Sequence, residues 1–265
     1  NTGFKVRVTG GQAMEGQAPK YIGLRSDNTP ALIGGDLVGD KSSSLSVSEI
    51  NTYNVAKILV VGQYSSIQFS ESKALQTVKW IGGENGWNRM FPTPSPDFGK
   101  RMFELCGKVT HVFGMSGYGS APPAGKLKNL QQTFSSAVLF DGDISSWDTS
   151  EVTSFEGTFS YAAAFNKDIS SWNVGKGTTF AQMFAEATLF DKPLNSWDVS
   201  AGKTFYSMFF QAGAFNQPLN NWILTAMNAA PVDKNAMDSM FRLASTFNQD
   251  LSGWCVSSFP GTPAL

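Results

Sequence analysis

From Phe134 onward the apolar positions of the chain fall into one phrase, Phe-x-x-Ala-x-x-Phe, which returns at Phe159, Phe184, Phe209 and Phe241. A tryptophan follows each opening phenylalanine thirteen residues later, at Trp147, Trp172, Trp197, Trp222 and Trp254. The steps between copies are 25, 25, 25 and 32 residues, and all four markers keep them. A period of about 20 to 50 residues indicates a stacked array, because one unit cannot bury its own apolar face and its neighbours must cover it.

Within a copy the pattern predicts two elements. Phe155, Phe159 and Ala162 fall at i, i+4 and i+7, the spacing of one face of a short helix. Ile169, Trp172 and Val174 follow, the last two alternating with period two, which predicts a short strand. Each copy then offers two phenylalanines, a tryptophan, an alanine and an aliphatic residue to a shared interior centred on Phe159, Trp172, Phe184, Trp197, Phe209 and Trp222. The polar positions are periodic as well: Asp141, Asn166, Asp191, Asn216 and Asn248 each follow the second phenylalanine. Short Asx side chains bond nearby backbone N–H groups and favour turns, so this column is expected to satisfy donors at a bend.

Upstream the pattern changes. Residues 1–70 predict a β-rich region, since Phe4, Val6 and Val8 alternate and Gly, Ser and Asn punctuate the gaps, with turns or loops expected at Gly34-Gly35 and at 42–48. Residues 71–129 predict degenerate first coils and connections. There Leu75, Val78 and Trp80 keep the later strand spacing, and Met102 to Cys106 resembles Met240 to Ala244. The five-copy array occupies 130–256, and 257–265, with Phe259-Pro260, predicts a closing cap. The expected class is an α/β repeat solenoid, with a short parallel strand ladder, short helices and a β-rich N-terminal cap.

Composition narrows the functional classes. The chain has 265 residues, 42% apolar and only 15% charged, enough for a sizeable core. Its longest aliphatic run, Ile58 to Val61, is far short of the roughly 20 residues a membrane-spanning helix needs. It opens on Asn1, which reads as a processed or excised segment. Cys106 and Cys255 lack metal-like spacing and read as buried thiols more readily than as a disulfide. His111 is the single histidine, too few for a zinc site or a catalytic triad. Gly34-Gly35 and Gly82-Gly83 lack the setting of a phosphate loop, so no cofactor is expected. The Asx column offers too few oxygens per copy for calcium. Residues 1–129 carry 14 Lys and Arg against 9 Asp and Glu, whereas 130–265 carry 6 against 12. The aromatic half is therefore the acidic one, which argues against nucleic acid.

The copies at Met208–Leu219 and Met240–Trp254, with their Phe-Asn-Gln and Leu-x-x-Trp phrases, resemble a repeat of about 25 residues from BspA-like leucine-rich-repeat surface proteins and Mycoplasma-type surface lipoproteins. The resemblance covers about half of the chain and departs from the pattern at Trp222-Ile223-Leu224. It implies a leucine-rich-repeat-like solenoid, an extracellular, cell-surface or virus-particle setting, and a role in adhesion or protein binding, with no catalytic residues to carry over.

Three functions follow as expectations. The first is a non-enzymatic surface module binding a protein or a surface glycan. The second is an assembly subunit of a virion or extracellular filament that contacts identical subunits. The third, remote, is a carbohydrate-active enzyme using Asp143 and Asp168, although periodic carboxylates read first as turn residues. The only break in the period places seven extra residues between Trp222 and Met237. Insertions in an array emerge as loops, often on a binding face, which makes Asn228, Pro231, Asp233 and Lys234 the candidate binding loop, with Met227 and Val232 adding apolar area.

Overall fold

The computed structural model describes residues 2–13, 18–27, 29–52, 57–78, 90–112, 122, 125–228, 233 and 235–254. In its N-terminal part the chain forms β1 (Thr2–Gly11), β2 (Lys20–Leu24), β3 (Pro30–Asp36), β4 (Gly39–Ser46), helix α1 (Val47–Thr52), β5 (Lys57–Val61) and β6 (Ser66–Gln68). The strands pair antiparallel in two sheets, ordered β4-β1-β6 and β3-β2-β5. Alternation puts Phe4, Val6 and Val8 on the buried face of β1. Two stretches expected as turns are regular structure instead. Gly34 and Gly35 lie inside β3, where a Cβ on Gly34 would stand 2.0 Å from the Tyr21 ring. Residues 42–46 run along β4 opposite β1, and Ser46 caps α1, exchanging hydrogen bonds with Glu49 at 2.8 and 3.1 Å.

The repeats are not the expected α/β parallel solenoid. Between 130 and 254 the described residues hold no strand and no α-helix, only turns, one 3-10 turn at Ala226–Asn228 and single parallel bridges joining Ser154 to Thr179 and Thr179 to Thr204. The predicted helix is a ribbon of consecutive turns. The N–H groups of Phe180, Gln182, Phe184 and Glu186 donate across to the next copy, to the carbonyls of Thr204, Tyr206, Met208 and Phe210, at 2.9, 2.8, 2.9 and 2.7 Å. The intervening N–H groups of Met183, Ala185 and Ala187 fold back three residues, at 3.1, 3.2 and 3.1 Å. An α-helix would send every N–H four residues back within its own segment. The left-handed residues Gln182 (φ 55°) and Glu186 (φ 59°), four apart, reset the direction each time. This ribbon buries Phe155, Thr158, Phe159 and Ala162 together, so its inward spacing coincides with that of a helix. The predicted strand is likewise a turn, closed by Trp172 N–H on the Ile169 carbonyl at 3.0 Å.

The copies stack as tiers through columns of rings. Phe134, Phe159, Phe184, Phe209 and Phe241 follow one another with centroids 5.7, 5.6, 5.6 and 5.5 Å apart. Within a tier the second phenylalanine lies 4.0 Å from the first, as at Phe159 and Phe165. The column extends below the five-copy array, to Phe103 at 5.4 Å and Phe69 at 6.0 Å. Phe4 then covers Phe69 at 6.2 Å, so the sheets and the tiers share one core. Ser72, fully buried, seals the junction by accepting from the Lys5 N–H at 2.7 Å and donating to the Lys5 carbonyl at 2.9 Å.

Two polar columns run beside the rings. Each Asx side chain accepts from the backbone of the tier above: Asp141 from Asn166, Asn166 from Asp191, Asp191 from Asn216 and Asn216 from Asn248, at 2.9 to 3.0 Å. The buried indole N–H groups of Trp172, Trp197, Trp222 and Trp254 donate to the tier below, as Trp172 does to the Ile144 carbonyl at 3.0 Å and Trp222 to that of Leu194 at 2.9 Å. The Asx column thus serves the joint between tiers as well as the bend.

Candidate functional site

Because left-handed residues turn their side chains away from the ring core, the ribbon presents an outward face assembled from several tiers. A shallow groove of about 220 Å³ lies on it, lined among others by Tyr161, Gln182, Glu186, Tyr206, Ser239 and Arg242. Tyr161 and Tyr206 are large side chains that stay 50% and 43% exposed. A hydrogen bond to Glu186 pushes the Tyr161 hydroxyl above its ordinary pKa. The groove therefore offers two phenols, a carboxylate, an amide and a guanidinium on a backbone held by cross-tier hydrogen bonds. Sequence reading missed these residues, since they keep no constant residue type from copy to copy. Their one signal was position: aromatic residues at ribbon positions outside the Phe, Ala and Trp columns.

The candidate binding loop is placed in part. Asn228 ends the 3-10 turn, and Asp233 is exposed, its Oδ1 accepting from the Asn235 N–H at 2.9 Å. Pro231, Val232 and Lys234 lie outside the described residues. Met227 is buried at 2% exposure, so it packs into the core and adds no surface. The insertion returns to the array at Ala236, whose carbonyl accepts from Phe205 at 2.6 Å, and it leads directly into Ser239 and Arg242 of the groove.

Asp143 and Asp168 share a second, more open concavity with Lys167 and Ser170. Each Oδ1 accepts from a backbone N–H two residues on, at Ser145 (3.0 Å) and Ser170 (2.9 Å). Hydrogen bonds from those serines hold both carboxyls below the usual carboxylate range. A glycosidic proton donor needs the opposite shift, so neither side chain suits that role. Cys106 occupies the alanine position of its tier, donates to the Phe69 carbonyl at 3.0 Å, and has its thiol pushed up to about 12 by burial. Cys255 lies outside the described residues. The His111 carbonyl accepts from Val78 at 2.9 Å. Among the described residues no three His, Cys, Asp or Glu side chains gather as metal ligands, and no helix is long and apolar enough to cross a membrane.

The profile of a family described as "Mycoplasma protein of unknown function, DUF285" matches residues 120–222 and 224–261, more than half of the chain. The chain belongs to that family. For this DUF285 protein the Mycoplasma part of the resemblance holds, while nothing in the match carries the BspA-like leucine-rich-repeat part. No curated protein and no solved structure matches the DUF285 chain.

Proposed function

We propose that this DUF285 protein is a non-enzymatic binding module displayed on a cell surface, with the outward ribbon groove as its contact face and a protein as its partner. The observation that carries this reading is the grouping of exposed Tyr161 and Tyr206 with Arg242 on one face built from several tiers. Tyrosine and arginine supply most interface hot spots, because each combines a large contact area with directional hydrogen bonding. The insertion within 225–235 is put forward as a second contact element, with Asn228, Pro231, Asp233 and Lys234 as its residues, since it directly precedes Ser239 and Arg242 of the groove in the chain.

The test is binding of the fluorescently labelled full chain to intact cells. Replacing Tyr161 and Tyr206 together by alanine is expected to weaken binding at least about ten-fold, the loss of a single hot spot. Removing seven residues within 225–235, which restores the 25-residue step, should weaken binding while leaving the fold intact. Binding unchanged in both variants, or no saturable binding by the unaltered chain, overturns the reading.

A further inference from the structure

The groove on the ribbon face is one-sided in its chemistry. Tyr161 and Tyr206 stand two tiers apart, and the tier between them adds Gln182, Ala185 and Glu186 to the lining. The backbone of that middle tier fixes their spacing: the Tyr161 N–H donates to the Ala185 carbonyl and the Gln182 N–H to the Tyr206 carbonyl, each at 2.8 Å. No described segment closes over either ring, and both stay about half exposed. Glu186 accepts from the Tyr161 hydroxyl and has no cationic partner among the described residues. The ribbon segments 130–137, 155–162, 180–187 and 205–212 hold two carboxylates, Glu156 and Glu186, and no lysine or arginine. The cation of the groove lining, Arg242, comes from the last tier, and its guanidinium has no hydrogen-bond or ion-pair partner among the described residues.

These groups decide what fits. A carboxylate beside two exposed phenol rings favours a cation, because an aromatic π-system attracts positive charge over its face. An apolar side chain seated there would instead bury Glu186 and Gln182 without partners. A metal ion is poorly served, since no three His, Cys, Asp or Glu side chains gather among the described residues. A guanidinium suits the groove better than an ammonium. It is planar, so it can lie against a ring, and its fork offers two parallel N–H donors to the carboxylate while others reach the Gln182 amide oxygen. Arg242, at the end of the groove away from Tyr161, repels a second cation, so the occupant is one basic side chain rather than a polybasic run.

We propose that the groove receives a single arginine side chain of the partner protein, its guanidinium paired with Glu186 and lying against the rings of Tyr161 and Tyr206. This rests on the groove being the contact face for a protein and names the group that the face recognises.

The test is an NMR chemical-shift titration of the isotopically labelled full chain with N-acetylarginine amide and with its lysine and citrulline counterparts, citrulline being a neutral isostere of arginine. The arginine amide is expected to shift the backbone amides of Tyr161, Glu186 and Tyr206 saturably, with a Kd of about 1–10 mM. The lysine amide should bind more weakly, and the citrulline amide at least about ten-fold more weakly. Glu186→Gln keeps an acceptor for the Tyr161 hydroxyl but removes the charge, and should lower the affinity at least about ten-fold. Glu156→Gln, outside the groove lining, should leave it unchanged. Should Glu186→Gln disturb the fold, seen as altered shifts at Phe159 and Phe184, the citrulline comparison on the unaltered chain decides. The proposal is overturned by no saturable shift up to about 50 mM, by equal binding of the lysine or citrulline amide, or by unchanged affinity in folded Glu186→Gln. Binding about ten-fold tighter after Lys234→Ala also overturns it, since the occupant would then be a lysine of the chain's own insertion. Failure of the surface reading is a separate result: arginine binding as expected, with no saturable binding of the chain to cells, removes that reading and leaves the arginine site standing.

Discussion

At the scale of single residues the unusual feature is a left-handed backbone at ordinary side chains. Gln182, Glu186, Ser207 and Gln211 have φ of 55°, 59°, 51° and 55°, while glycine takes the equivalent place at Gly157 with φ 58°. Such a conformation costs an L-residue about 1–2 kcal/mol, which the cross-tier hydrogen bonds and ring packing offset. Gln182→Gly is therefore expected to be neutral or to stabilise by up to about 1 kcal/mol, and Gln182→Val to destabilise by about 1–3 kcal/mol. Urea unfolding separates this from a helix, in which the glycine variant would itself lose about 1 kcal/mol. A second residue-scale expectation concerns acid. Hydrogen bonds from Ser145, Ser170 and Ser200 hold Asp143, Asp168 and Asp198 below their ordinary pKa of about 3.9. A carboxyl depressed in the folded state adds stability that is present above the unfolded value and lost as pH falls through the folded one. Urea midpoints should therefore decline below about pH 4. Replacing all three by Asn keeps an acceptor at each turn but removes the titration, so a decline as steep as in the unaltered chain would refute this cause.

The element is the tier, and its energy is shared with its neighbours. Phe184 stacks on Phe159 and Phe209 at 5.6 Å each, and on Phe190 within its own tier. Phe184→Ala should cost about 3–5 kcal/mol. Among the described residues the partly buried Phe247 has a column neighbour on one side only, Phe215 at 5.9 Å, so Phe247→Ala should cost clearly less. Equal losses in denaturant unfolding would contradict stacking by nearest neighbours. Asn166→Ala removes the acceptor of the Asp191 N–H and should cost about 1 kcal/mol, measured in the same way. At this scale the sequence misleads for an identifiable reason. The segment Ala181 to Glu186 consists of Ala, Gln, Met, Phe and Glu, mostly good helix formers, at helical spacing. Its local preference is helix, and only the partner segment 204–210, supplying carbonyls every second residue, draws it into a turn ribbon.

Over the whole molecule, the β4-β1-β6 sheet and the tiers are joined at β6. Gln68 Nε2 donates to the Lys100 carbonyl at 2.8 Å, Phe69 N–H donates to the Met102 carbonyl at 2.7 Å, and Ser72 ties both to β1 through Lys5. Ser72→Ala leaves the Lys5 N–H and carbonyl without their buried partner, at a cost of about 1–3 kcal/mol. The same change should uncouple the two parts, so that near-UV signals from the tryptophan tiers and far-UV signals from the sheets no longer share one unfolding midpoint. Coincident midpoints in that variant would show that Phe4, Phe69 and the rest of the shared core suffice for coupling.

The sequence alone determined the repeating phrase, its 25-residue step and the ring columns that step builds. Phe159, Trp172, Phe184, Trp197, Phe209 and Trp222 are core residues because a 25-residue period places each beneath its own kind, and burial of large rings follows from composition and spacing. It also located the Asx column and the break at 225–235. What only the tertiary structure decided is the path of the backbone between those columns. A turn ribbon and a helix bury the same i, i+3, i+4, i+7 positions, so hydrophobic spacing cannot tell them apart. The choice rests on hydrogen bonds between residues 24 or more positions apart, such as Phe155 to Thr179, which no local pattern records. The outward groove depends on the same choice, because a helix would have aimed Tyr161, Gln182 and Glu186 elsewhere.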